Sequence, residues 1–91
     1  MNKDLEEIKQ LLITGETDEA ISLLIDFIDK NPSSDEAFFL LGNAYRKKEN
    51  WELALNNYRQ AIDLNPDSPA KHAYKMVIDI LNFYNKDMFN Q

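Results

Sequence analysis

The sequence predicts an all-α fold of antiparallel helix-turn-helix repeats, about five helices ending in a long C-terminal capping helix, and three observations carry that expectation. Only two glycines and three prolines punctuate 91 residues, a composition that favours long helices over strands and turns. Between those breaks apolar residues recur at helical spacing, as in Leu5, Ile8 and Leu12. Sliding the chain along itself lays "DEAISLLIDFIDKNP" (18–32) on "ELALNNYRQAIDLNP" (52–66), pairing Ala20 with Ala54, Ile28 with Ile62, Asp29 with Asp63 and Asn31-Pro32 with Asn65-Pro66. A chain of this length forms one domain, 1–91, with a real but thin core.

The elements follow in order. The first helix, 2–14, stops before Gly15. The second, 18–30, opens on the acidic pair Asp18-Glu19 and closes at Asn31-Pro32-Ser33-Ser34; its wide apolar arc (Leu23, Ile25, Phe27) predicts burial against both flanking helices. A capping box of Ser33 with Glu36 starts the third helix, 35–48. Gly42 sits inside that helix at a cost of about 1 kcal/mol relative to alanine, so a close contact must require it. The fourth helix, 51–64, ends at Asn65-Pro66, and the fifth runs from 69 to about 88 with Ser68 as N-cap ahead of Pro69.

The fifth helix carries more apolar surface than one packing face needs. Ala73, Met76, Val77 and Ile80 form its expected inward stripe, while Tyr74, Ile78, Leu81, Phe83, Tyr84, Met88 and Phe89 widen it. Either the helix bends over the first hairpin, or its aromatics are simply part-exposed, or a partner, a second copy included, covers the surplus.

Little in the sequence points to chemistry. The absence of cysteine removes disulfides, thiolate catalysis and cysteine-ligated metals together. His72, the single histidine, sits beside Lys71 and Lys75 with no second ligand to share a metal. Glu6-Glu7, Asp18-Glu19 and Asp35-Glu36 fall near helix starts, where carboxylates complement the positive end of the helix dipole. "NKD" at Asn85 to Asp87 has no phosphate-binding glycine loop to accompany it, and proline in "NPS" at Asn31 rules out glycosylation there. No enzyme, cofactor or metal is therefore expected. The net charge of -6 disfavours nucleic acid and anionic membrane surfaces. With no apolar run of signal or membrane-spanning length, a cytoplasmic protein is expected.

A two-helix unit that repeats with this period and is closed by proline resembles the tetratricopeptide repeat (TPR) family. The resemblance rests on Phe38, Leu41, Gly42, Tyr45, Ala54, Tyr58, Ala61 and Pro66, large and small residues in that family's fixed alternation across residues 35–68. It implies a TPR-like α-solenoid in which the small residues Gly42 and Ala54 face each other where paired helices cross. Residues 1–34 look like a degenerate repeat, keeping Ala20, Leu24 and Pro32 but placing Ile8 and Phe27 where small residues are expected. Residues 69–91 resemble the family's C-terminal capping helix, in a register one residue off the strict period.

The resemblance also implies a job. First helices of such pairs line a concave groove that binds an extended peptide or a partner's helix. The groove residues carried over are Asn2, Leu5, Lys9 and Leu12 from the first helix and Glu36, Phe39, Asn43, Arg46 and Lys47 from the third. Phe39 offers an apolar anchor, Asn43 a donor and acceptor for peptide backbone, and Lys9, Arg46 and Lys47 positive charge within an acidic chain. Of the clamp with which some relatives hold chaperone C-terminal carboxylates, only Asn43 matches, so that clamp looks absent. Two functions are carried forward: a non-catalytic protein-protein interaction module that binds a peptide or protein segment in the groove, and a self-associating assembly unit that dimerises through Tyr74, Ile78, Leu81, Phe83 and Tyr84.

Overall fold

The computed structural model describes residues 4–89, with side chains described for residues 4–84. Asn2, Met88, Phe89 and the "NKD" side chains lie outside the described set. The elements are α1 (Leu5–Ile13), α2 (Thr17–Lys30), α3 (Asp35–Lys47), α4 (Trp51–Leu64) and α5 (Ala70–Phe89). Each helix packs on its neighbour in sequence; in addition α1 packs on α3 and α3 on α5. The odd-numbered helices thus form one layer and α2 and α4 the other, in a body 17 Å across its thinnest axis. That thickness holds two helix layers and no more, so the outer face of the α1–α3–α5 layer stays open to solvent. No packing joins α5 to α1 or α2 among the described residues. The fifth helix does not bend over the first hairpin.

The turns repeat with the sequence. At the end of α1 the Glu16 N–H bonds back to the Leu11 carbonyl at 2.9 Å, with Gly15 at φ 88°. At the equivalent end of α3 the Asn50 N–H bonds to the Tyr45 carbonyl at 2.9 Å, with Glu49 at φ 59°. Both are left-handed helix stops that satisfy terminal carbonyls, and glycine suits them because it has no Cβ to clash. Only the first has one. After α2 and α4 the same match appears: Ser34 N–H reaches the Asn31 carbonyl at 3.1 Å, and Ser68 N–H the Asn65 carbonyl at 2.9 Å. Asp4, Ser34 and Asn50 cap α1, α3 and α4 through side-chain oxygens that accept from Glu7, Ala37 and Leu53 N–H groups. The cap of α3 is therefore Ser34, not Ser33. Ser33 is one residue too early to reach the first turn, so the expected box with Glu36 does not form.

The core explains Gly42 through a contact the sequence does not name. A Cβ on Gly42 would lie 2.5 Å from Cδ1 and Cε1 of the Tyr58 ring. The nearest approach to that position is by that ring, which is fully buried. In the first pair the positions equivalent to Gly42 and Tyr58 hold Ile8 and Leu24, 1% and 0% exposed in one core cluster. A large and a medium side chain there replace a glycine and a very large one, so the swap keeps the crossing filled. Leu23 and Phe27 pack partly against the same cluster, but Ile25 is 49% exposed. Helix α2 has only α1 and α3 as neighbours among the described residues, so the edge of its apolar arc at Ile25 is left in solvent.

The fifth helix is buried along Ala70, Ala73 and Val77, flanked by Tyr74 and Leu81. Met76 is half exposed and is not part of the inward stripe. These buried positions correspond to Ala37, Leu40 and Ala44 of α3, each one position short of the strict repeat, which is the offset the sequence suggests. Its origin lies in the first turn: Ser34 Oγ accepts from Ala37 three residues on, whereas Ser68 Oγ accepts from Ala70 only two on, at 3.0 Å. Pro69 occupies that shortened turn.

Gly42→Ala is expected to lower stability by about 1–3 kcal/mol, because overpacking against the buried ring outweighs the better helix propensity of alanine; urea denaturation measures it, and an unchanged midpoint would contradict the contact. Glu49→Gly should act in the opposite direction, raising stability by about 0.5–1 kcal/mol through relief of the left-handed strain.

Candidate partner-binding groove

The open face of α1, α3 and α5 holds two adjoining depressions. One, of about 280 Å³, is lined by Lys9, Asp35, Glu36, Phe39, Leu40, Ser68 and Pro69. The other, of about 180 Å³, is lined by Lys9, Leu12, Ile13, Leu40, Asn43, Arg46 and Lys47. Each has room for one or two side chains, less than the roughly 300–1,000 Å³ typical of small-molecule sites. Of the residues the sequence assigns to peptide binding, Lys9, Phe39, Asn43, Arg46 and Lys47 line these depressions; Leu5 does not, and packs half-buried on the core. Ile13, Leu40 and Pro69 also line the face and were not foreseen. The shift that aligns the two repeats pairs Ile13 with Lys47, a signal that could have found the first of them.

Asn43 is the most constrained of these side chains. The Tyr58 hydroxyl, carried by α4 from behind, donates to Asn43 Oδ1 at 2.5 Å. The carboxamide oxygen is thereby engaged, and no hydrogen bond among the described residues uses the Nδ2 donors. The Phe39 ring lies against the same tyrosine, with centroids 6.1 Å apart and planes tilted by 38°. Burial raises the Tyr58 pKa above its ordinary value, and the positive charge of Arg46 partly offsets that rise. Tyr58 thus fixes both the polar and the apolar parts of the groove from the core side.

The cations differ in what holds them. Lys9 bridges two carboxylates, Glu6 at 3.6 Å and Glu36 at 3.8 Å. Lys47 Nζ donates to the Leu12 carbonyl at the end of α1 at 2.7 Å, a bond favoured by the negative end of that helix. Arg46 is half-buried, and neither it nor Lys47 has a carboxylate partner among the described residues. Charge is divided along the face, with Asp35 and Glu36 at the start of α3 and Arg46 and Lys47 at its end.

The residues assigned to a dimer surface separate into two groups. Tyr74 packs on the core, and its hydroxyl accepts from the Arg59 guanidinium at 2.9 Å; Leu81 packs on the same cluster and Ile78 is half-buried. Phe83 and Tyr84 are 75% and 65% exposed, edge to face with centroids 5.7 Å apart. His72 is exposed on α5. Among the described residues no group of three His, Cys, Asp or Glu could hold a metal, and no helix is long and apolar enough to cross a membrane.

The solution structure of Bacteroides fragilis protein BF1650 is similar to this chain, with 56% identity and a TM-score of 0.86 over 98% of this chain and 91% of that one. A family model described as a TPR repeat matches residues 42–74, from the middle of α3 through α4 into α5. The chain belongs to the tetratricopeptide repeat family. No curated protein matches it. TPR repeats mediate protein–protein interaction, and the family is typically a non-enzymatic scaffold. The TPR signature residues sit where such packing needs them: Leu41, Gly42, Ala54, Tyr58 and Ala61 are buried, Phe38 and Tyr45 pack half-buried at the pair interface, and Pro66 ends the unit on the surface.

The Tyr58 hydroxyl yields a pH prediction. A phenol whose folded-state pKa is raised contributes stability that is full below its unfolded value of 10.0 and is lost as pH rises through the higher folded value. Wild-type protein should therefore lose urea resistance between about pH 9 and pH 11 more steeply than Tyr58→Phe. Equal slopes would contradict the buried hydroxyl.

Proposed function

We propose that this protein is a non-catalytic interaction module that binds a peptide or protein segment on the open face of α1, α3 and α5. One observation carries the reading. Asn43 is held by a hydrogen bond from a fully buried tyrosine to its oxygen, with its Nδ2 donors unused among the described residues, and it lines a depression with two cations that lack carboxylate partners there. The bond satisfies the buried hydroxyl and also fixes the carboxamide beforehand, so less side-chain entropy is lost when a partner pairs with it. The small volume of the depressions fits side chains of an extended segment better than a cofactor. The partner is a protein and not a nucleic acid or membrane surface, in keeping with the net charge of -6. The protein acts in the cytoplasm.

A second reading, self-association through the end of α5, is supported by the exposure of Phe83 and Tyr84 on a 20-residue helix that outruns the 13 residues of α3. The two readings predict different losses. Affinity capture from native extract compares wild type with a Phe39→Ala/Asn43→Asp variant, each checked by circular dichroism and light scattering. A partner retained by wild type and lost by the folded variant is the expected result. Equal retention by both sinks the groove reading, and a wild-type dimer that Phe83→Glu converts to monomer establishes the second.

A further inference from the structure

The three helices of the open face share a register that the depressions alone do not reveal. The repeat offset between α1 and α3, and the offset one position shorter between α3 and α5, set Lys9, Asn43 and Met76 at one level, and Ile13, Lys47 and Ile80 at the next. Pro69, just ahead of α5, and Met76 and Phe83 within it follow one another at heptad intervals, which keeps them on one stripe. Pro69 lines the groove beside Phe39, so Met76 and Phe83, 50% and 75% exposed, continue that groove toward the end of α5. Part of the apolar surplus of α5 is therefore groove surface.

At the level of Lys47 the face reads apolar, cationic, apolar across three helices. Ile13 of α1 is 68% exposed and shares a depression with Arg46 and Lys47. Ile80 lies on the α5 side with Phe83 beyond it. Arg46 and Lys47, without carboxylate partners among the described residues of a chain of net charge -6, stand between them. Asp79 joins Ile80 and Phe83 on α5 and makes no ion pair among the described residues, so it repels an acid from that end and favours one over α3.

Packed helices lie about 8–10 Å apart, and a chain in the polyproline II conformation advances about 3.1 Å per residue with three residues per turn, so every third side chain returns to the same face and meets the next helix. We propose that the groove takes a peptide in the polyproline II conformation in which an aspartate or glutamate is flanked, three residues away on each side, by large apolar side chains. The acid meets Arg46 and Lys47, and the apolar residues lie on Ile13 and on Ile80 with Phe83. This inference rests on the groove reading above and adds the chemistry of its occupant.

The test is selection of a phage-displayed library of random twelve-residue peptides on the full chain, followed by affinities of the enriched peptides as synthetic probes. The expected consensus is an acid between apolar residues at that spacing. Binding should fall about tenfold with Arg46→Gln and with the double change Met76→Ser/Phe83→Ser, and should weaken with added salt. Thermal melts confirm that the variants fold. Binders that lose affinity with Asn43→Asp but lack the acid, or ignore Arg46→Gln, overturn this inference and leave the groove reading standing. A selection that yields no binder, or binders indifferent to Asn43→Asp, overturns both.

Discussion

The Tyr58 side chain is the constraint on which most of this structure depends. It is the largest fully buried residue, and it meets α3 at three points: the ring against Gly42, the ring against Phe39 and the hydroxyl on Asn43. Gly42 is present because the ring needs the space its Cβ would take. Asn43 is ordered because a buried hydroxyl without a partner costs about 1–3 kcal/mol. The rule that packs the second helix pair therefore also shapes the outward face of α3. Structure and candidate function meet in one side chain.

The repeat is the second organising feature, and its small irregularity matters as much as its regularity. Helix stops and turns recur from one repeat to the next down to individual hydrogen bonds. At Ser68 the cap reaches Ala70 in place of Lys71, which the strict period pairs with Ala37 of α3, because Pro69 shortens the first turn. The helix that follows enters one residue out of step. That step sends Val77 and Ala73 inward and leaves Met76 half exposed. A proline chosen for helix initiation thus decides which side of α5 is buried.

Five helices, their order and their family were legible in the sequence because punctuation, periodicity and the internal match of the two repeats all agreed. The misreadings arose where two neighbouring residues compete for one role. Ser33 and Ser34 are both capable caps, and only backbone geometry chooses between them. Met76 and Val77 are both apolar, and a strict stripe cannot tell which faces the core when the first turn is short. The Gly42–Tyr58 contact was hidden for a different reason: a small residue announces a close approach but does not name what approaches. Among the groove residues, Lys9, Phe39, Asn43, Arg46 and Lys47 could be read from helix position, whereas the Tyr58 bond that orients Asn43 could not, since it links side chains on different helices.

The charge pattern ties the groove to the stability of α1. That helix has 9 residues and packs only on α2 and α3 among the described elements, so it is the element with the least to hold it. Lys47 fastens its end through the Leu12 carbonyl, and Lys9 fastens its middle to Glu36 of α3. Both lysines belong to the open face. An anion that shares Lys47 with the carbonyl, rather than replacing it, adds a second ligand to an ammonium group with three donors and keeps α1 in place. One that captures Lys47 outright releases the end of α1. A ligand shifts a conformational equilibrium only by its difference in affinity for the two states, and here that difference is set by whether its apolar side chain also rests on Ile13. Contact with Ile13 makes α1 part of the binding surface, so the partner that reaches it stabilises the helix that the partner's own charge would otherwise loosen.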